Sequence, residues 1–160
     1  MAKTLVAYFS ATGVTKSVAE NLAQAAEADL YEIKPVKPYL NGDLNWLDQN
    51  ARSTIEMKDW SSRPEIVDDN LSIKDYDRIF LGFPIWWYIA PTIINTFLEK
   101  HDFSGKTIIL FATSGGSRFG SAIENLKNSV SDSTKIVEGR ILNTNPTVEE
   151  LTQWINSLEV

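Results

Sequence analysis

Ser10-Ala11-Thr12-Gly13-Val14-Thr15 separates an apolar run, Thr4 to Phe9, from a helical pattern that opens at Lys16-Ser17-Val18. Three hydroxyls at near-alternating positions before a helix could hold an anion. A helix N-terminus presents unpaired N–H groups and the positive end of its dipole, and the hydroxyls can point into one concavity. Gly13 would let the backbone approach such a ligand closely. The spacing lacks the Gly-Lys-Ser/Thr ending of a Walker loop and the three glycines of the dinucleotide fingerprint, so nucleoside triphosphates and NAD are disfavoured. The competing reading is local, with Thr15 capping the helix and the other hydroxyls filling a turn.

Two further segments carry ligand-binding chemistry. Gly82-Phe83-Pro84-Ile85-Trp86-Trp87-Tyr88-Ile89-Ala90-Pro91 puts three consecutive aromatics after an apolar run, and Pro91 suits the first turn of a following helix. Aromatic faces with backbone donors can hold a planar, heteroatom-rich ring, although core or oligomer contacts would also explain Trp86, Trp87 and Tyr88. Ala112-Thr113-Ser114-Gly115-Gly116-Ser117-Arg118-Phe119-Gly120 is a glycine-rich loop before another helix, either a flexible turn or a segment whose amides reach the edge of a ring. Phe119 would contact such a ring or staple the helix. Arg118 would face solvent, or point inward and stabilise negative charge.

The elements that must position these loops are legible as periodicity. Strand-like runs fall at 4–9, 30–33, 78–83, 107–113 and 135–142, with helical patterns at 15–26, 92–100, 121–131 and 147–158. Strands alternating with helices imply an α/β fold with a parallel sheet covered on both faces. The first, third and fourth runs are nearly continuously apolar, as buried central strands require, whereas Tyr31, Glu32 and Ile33 suggest an edge. A five-stranded, three-layer sandwich in the order 2-1-3-4-5 fits, with a Rossmann-type order as the alternative. All three loops then lie at the carboxyl ends of strands, where open α/β sheets bind ligands. Residues 34–77 are far longer than an ordinary crossover and read as an excursion over the sheet edge. Asp43 to Arg52 could be helical, while Pro35, Pro38 and Pro64 break any long element, and Trp46 and Trp60 pack under the loop or wall the site. One domain, 1–160, is expected.

On these residues the chain resembles the flavodoxin family over nearly its whole length. Ser10, Thr12, Gly13 and Thr15 are similar to the family's phosphate loop. Pro84-Ile85-Trp86-Trp87 followed by Ala90-Pro91 looks like the loop beside the isoalloxazine in a short-chain flavodoxin subfamily and in related flavin-dependent quinone reductases. Thr113-Ser114-Gly115-Gly116 resembles the third flavin loop of that subfamily, and Asn45, Trp46 and Arg52 fall in a similar excursion without a role carried over. The resemblance implies non-covalent FMN. Ser10, Thr12 and Thr15 would donate hydroxyl bonds to its phosphate, and the amides of Ala11, Thr12, Gly13, Val14, Thr15 and Lys16 would supply the rest. Pro84, Ile85, Trp86, Trp87, Tyr88, Thr113, Ser114, Gly115, Gly116 and Phe119 would surround the ring. The best-known flavodoxins carry acidic residues and a stacking tyrosine in the third loop. Arg118 departs from that pattern and, if it points inward, would make the protein a less extreme reductant.

Composition narrows the function further. Without cysteine there is no disulfide, thiolate metal site or thiol nucleophile, so redox chemistry needs a borrowed cofactor. A net charge of −6 argues against nucleic-acid binding and suits docking on a basic partner. No apolar stretch is long enough for membrane insertion, and Met-Ala-Lys opens no secretory signal, so a cytoplasmic location is expected. His101 lacks a catalytic neighbourhood and is expected at the surface, and the pairs Asp68-Asp69 and Glu149-Glu150 read as solvated. No catalytic or metal-ligating residue is expected. The leading reading is a monomeric one-electron carrier serving two redox partner proteins, a reductase and an acceptor. The alternative is an FMN-dependent NAD(P)H:quinone-type oxidoreductase. A third reading, a flavin-free binding module, conflicts with the intact first loop.

Overall fold

The computed structural model describes residues 3–10, 13–37, 50–59, 63–67, 71–85, 90–113, 122–142 and 146–158. The elements run β1 (Lys3–Tyr8), α1 (Val14–Ala26), β2 (Asp29–Glu32), α2 (Arg52–Lys58), β3 (Tyr76–Pro84), α3 (Thr92–Lys100), β4 (Thr107–Thr113), α4 (Ala122–Lys127), β5 (Lys135–Ile141) and α5 (Val148–Ser157). The five strands form one sheet in the order β2-β1-β3-β4-β5, with every pairing parallel. This is the flavodoxin-like order, and the Rossmann alternative falls.

The apolar runs of β1, β3 and β4 are continuous because both faces of each strand are covered. Leu5, Ala7, Phe9, Ile79, Leu81, Phe83, Ile108, Leu110 and Ala112 alternate onto one face, where Ile93, Phe97 and Leu98 of α3 and Leu126 of α4 pack on them. Val6, Tyr8, Phe80, Ile109 and Phe111 take the other, under Val18 and Leu22 of α1 and Leu151 and Trp154 of α5. Gly82 belongs to this second arrangement: a Cβ there would run into the ring of Phe111, its partner on β4. β2 is the short, half-exposed edge strand that Tyr31 and Glu32 suggested.

Chain direction places the site. From β1 the chain passes through α1 to β2 on one side, and from β3 it passes through α3 to β4 on the other. The carboxyl ends of β1 and β3 therefore flank the point where the connections diverge, the place where open α/β sheets bind ligands.

The structure departs from the sequence reading in two helices. α4 ends at Lys127 rather than near Ser131, because the amides of Ser129 and Val130 turn back to Leu126 and Lys127 in tighter, 3₁₀-type bonds. That turn buries Ser129, whose hydroxyl donates to Glu99 of α3 at 2.7 Å and accepts from Asn95 at 2.9 Å. In the excursion, the stretch proposed as helical lies outside the described residues up to Asn50, and α2 starts where it was to end. The Arg52–Glu56 pair four residues apart, 2.9 Å, is the signal that could have found α2. Later the excursion meets the segment after β2 in an antiparallel bridge, Pro35 opposite Ile66. It is pinned to α3 by the two-pronged contact of Arg63 with Glu99, 3.0 Å on each prong, which holds the Glu99 carboxyl below its usual range.

Candidate functional site

The first loop leaves β1 held by both neighbours: the Phe9 amide donates to Gly82 at 2.9 Å and the Tyr8 carbonyl accepts from Ile33 at 2.7 Å. Two residues later Ser10 turns the chain, its Oγ accepting from the Gly13 amide at 2.9 Å. Gly13 is the N-cap of α1 with φ of 93°, left-handed backbone that glycine adopts without penalty, and open space surrounds the point where a Cβ would stand. Glycine is therefore required here by the backbone angle and not by crowding. The Ser17 amide closes the first turn on the Gly13 carbonyl at 3.1 Å, which leaves the amides of Val14, Thr15 and Lys16 directed out of the helix end. No side chain caps them and no acidic residue stands in the first turn. A helix end left in this way is suited to an anion, and it follows the carboxyl end of β1.

Thr15 is not the cap that the local reading made it. Its side chain turns inward, only 2% exposed, and its hydroxyl meets that of Thr113 at 2.8 Å. Thr113 is the last residue of β4 and opens the third loop. The second loop joins at the same residue, because Pro84 pairs with Thr113 and the Ile85 amide donates to the Thr113 carbonyl at 2.8 Å. Ala90 is buried in the core, and Pro91 is the N-cap of α3 rather than its first helical residue.

Of the residues read from the sequence, Ser10, Gly13, Val14, Thr15, Lys16, Pro84, Ile85 and Thr113 are thus gathered at the carboxyl ends of β1, β3 and β4. Val14 and Lys16 are exposed beside the helix end, while Thr15, Ile85 and Thr113 are buried. Ala11, Thr12, Trp86, Trp87, Tyr88, Ser114, Gly115, Gly116 and Phe119 lie outside the described residues, as do Arg118, Trp46 and Trp60. The Thr15–Thr113 contact was missed. No local signal announces a pair 98 positions apart.

Beneath α1, Tyr8 stays neutral: burial first, then the charges of Glu32 and Glu20, push its hydroxyl up to about 12. His101 lies away from the loops, its ring 5.1 Å from that of Phe97 and 6.3 Å from that of Phe103, which makes it half-buried packing rather than the surface residue expected. Among the described residues no cluster of His, Asp and Glu could hold a metal, and no helix is long and apolar enough to cross a membrane.

A sequence profile described as Flavodoxin matches residues 3–158. The chain belongs to the flavodoxin family. A candidate flavoprotein of Bacteroides uniformis is 47% identical over 98% of this chain and 99% of its own, with a TM-score of 0.90. A second from Bacteroides eggerthii is 44% identical over 100% and 99%, TM-score 0.91. A flavoprotein of Lactobacillus acidophilus solved in complex with FMN shares the fold, at 24% identity over 97% and 99% and a TM-score of 0.69. No curated protein matches. The flavodoxin family makes FMN the group against which the site must be tested, and its phosphate end fits. A dianion needs donors and no competing carboxylate, which the end of α1, the Ser10 hydroxyl and the left-handed Gly13 supply.

Proposed function

We propose that this flavodoxin-family chain binds FMN non-covalently at the carboxyl ends of β1, β3 and β4 and carries single electrons between protein partners. The observation that carries the reading is the N-terminus of α1, left without a side-chain cap or an acidic residue where the connections from β1 and β3 diverge. Bound FMN would supply the redox chemistry of its ring, which this cysteine-free chain does not possess. The chain's own part is to bind and orient. The Ser10 hydroxyl keeps its proton for a ligand while its oxygen accepts from Gly13, and the helix end directs three amides at the same place. Pro84 and Ile85 set the second loop against Thr113, so the strand ends fix the spacing between an anion and whatever lies over β3 and β4.

The described site residues support a carrier over a self-sufficient reductase. Among the described site residues only Lys16 is ionisable, and it is exposed. No group there is placed to move a substrate proton. The net charge of −6 suits transient docking on basic partner surfaces, which raises encounter rates at low ionic strength.

The test is the visible spectrum of the purified protein during stepwise reduction with dithionite. Flavin peaks near roughly 370 and 450 nm, followed by a long-wavelength band that rises and falls as electrons are added, are expected. Bleaching without that band, with rapid NAD(P)H-dependent turnover of a quinone, would replace the carrier by a reductase. A protein that takes up no FMN would overturn both.

A further inference from the structure

We propose that Thr113 is a positioning residue for the anion end of the site, acting through the Thr15 hydroxyl; the inference rests on the FMN reading and adds to it a residue that need not touch the cofactor. Two hydrogen bonds and the start of the third loop converge on Thr113. Its hydroxyl meets Thr15 of α1 at 2.8 Å, its carbonyl holds the Ile85 amide of the second loop at 2.8 Å, and its own chain continues into the third loop. It is 5% exposed and Thr15 is 2% exposed, so bulk water does not serve either hydroxyl.

Each hydroxyl has one proton and two acceptor positions, and in the pair either oxygen can be the donor. A phosphate at the end of α1 removes that freedom, because a dianion only accepts. Thr15 must then give its proton outward, and Thr113 must give its proton to Thr15. The result is a directed chain from Thr113 through Thr15 to the anion. A hydroxyl that accepts one hydrogen bond donates the next more strongly, and the effect is largest away from water. Thr113 also fixes the side-chain rotamer of Thr15, so the donor is aimed before the ligand arrives. Without it, Thr15 keeps its proton but loses its donor and its aim.

Thr113→Val preserves volume, strand preference and the backbone bond to Ile85 while removing the hydroxyl. The readouts are the affinities of the apoprotein for FMN and for riboflavin, which lacks the phosphate, by quenching of flavin fluorescence, with inorganic phosphate as a third probe. Thr113→Val is expected to lose about fivefold in FMN affinity, the scale of one hydrogen bond between neutral groups, with riboflavin changed by less than about twofold. Thr113→Ser, which keeps the hydroxyl, is expected to retain FMN affinity, and inorganic phosphate is expected to weaken in step with FMN. Combining Thr113→Val with Thr15→Val should cost no more than Thr15→Val alone, since the two hydroxyls act in series. Equal losses for FMN and riboflavin would overturn the proposal, assigning Thr113 to the ring side or to folding. Unchanged FMN affinity in Thr113→Val, no rescue by Thr113→Ser, or additive losses in the double variant would overturn it as well, in each case with the wild-type chain still binding FMN. A wild-type chain that takes up neither FMN nor inorganic phosphate overturns this inference together with the FMN reading.

Discussion

α1 and α5 pack side by side on the same face of the sheet, yet their N-termini are finished in opposite ways. At α5 the Thr147 hydroxyl accepts from the Glu150 amide at 3.1 Å, and Glu149 and Glu150 stand in the first turn. Its own residues satisfy the free amide and offset the dipole. At α1 the cap is a left-handed glycine without a side chain, and the first turn holds Val14, Thr15 and Lys16. Two helices of one layer thus begin in opposite ways. The sealed end belongs to the fold, and the open one is left for a ligand at the point where the sheet's connections diverge.

The sharpest way to break the contrast is to give α1 the carboxylate that α5 has. Val14→Asp places a negative charge at an exposed position of the first turn, where it favours the helix by a few tenths of a kcal/mol and repels a dianion. FMN affinity is expected to fall between about tenfold and a hundredfold, with riboflavin binding and melting temperature nearly unchanged, as read by calorimetric titration and a thermal melt. Gly13→Ala attacks the geometry instead. A side chain at φ of 93° costs about 1–2 kcal/mol of backbone strain, and relaxing it swings the amides away. Urea melts should show that loss together with weaker FMN binding. Thr147→Ala tests the other helix: about 1 kcal/mol of stability is expected to go with the cap, while FMN affinity stays as it was. A fall in FMN affinity there would erase the distinction between the two ends.

The smallest effect is confined to alkaline solution. Tyr8, under α1, has its hydroxyl pushed up from 10.0 to about 12, mainly by burial and then by Glu32 and Glu20. The folded state therefore holds this proton after the unfolded chain has released it. The contribution is whole below the unfolded value of 10.0 and is lost as pH rises towards about 12. Urea midpoints should fall through that window, and Tyr8→Phe should flatten the decline.

What could be read from the residues was whatever is local or periodic. The alternation in β1, β3 and β4, the edge character of Tyr31 and Glu32, and a glycine between hydroxyls at a helix start all express their cause within a few positions. The α/β class with a parallel sheet and the candidate anion site followed from them, while the flavodoxin likeness came from the three loop motifs. Helix ends were less legible: α4 stops early because Ser129 is drawn into a turn that serves Glu99 and Asn95 of α3, contacts 30 and 34 residues away in the chain. The cap reading of Thr15 fails for the same reason. A threonine before a helix looks locally like a cap, and only the arrival of β4 shows that its hydroxyl belongs to Thr113.

By itself, then, the sequence determined the strands, most of the helices and the chemistry of the first loop, because steric limits, side-chain period and the free amides of a helix end act over neighbouring residues. Tertiary structure decided the strand order, the turn that truncates α4 and the meeting of all three loops at Thr113. Those depend on which surfaces find each other across the sheet, and burial rewards such contacts without regard to their distance along the chain.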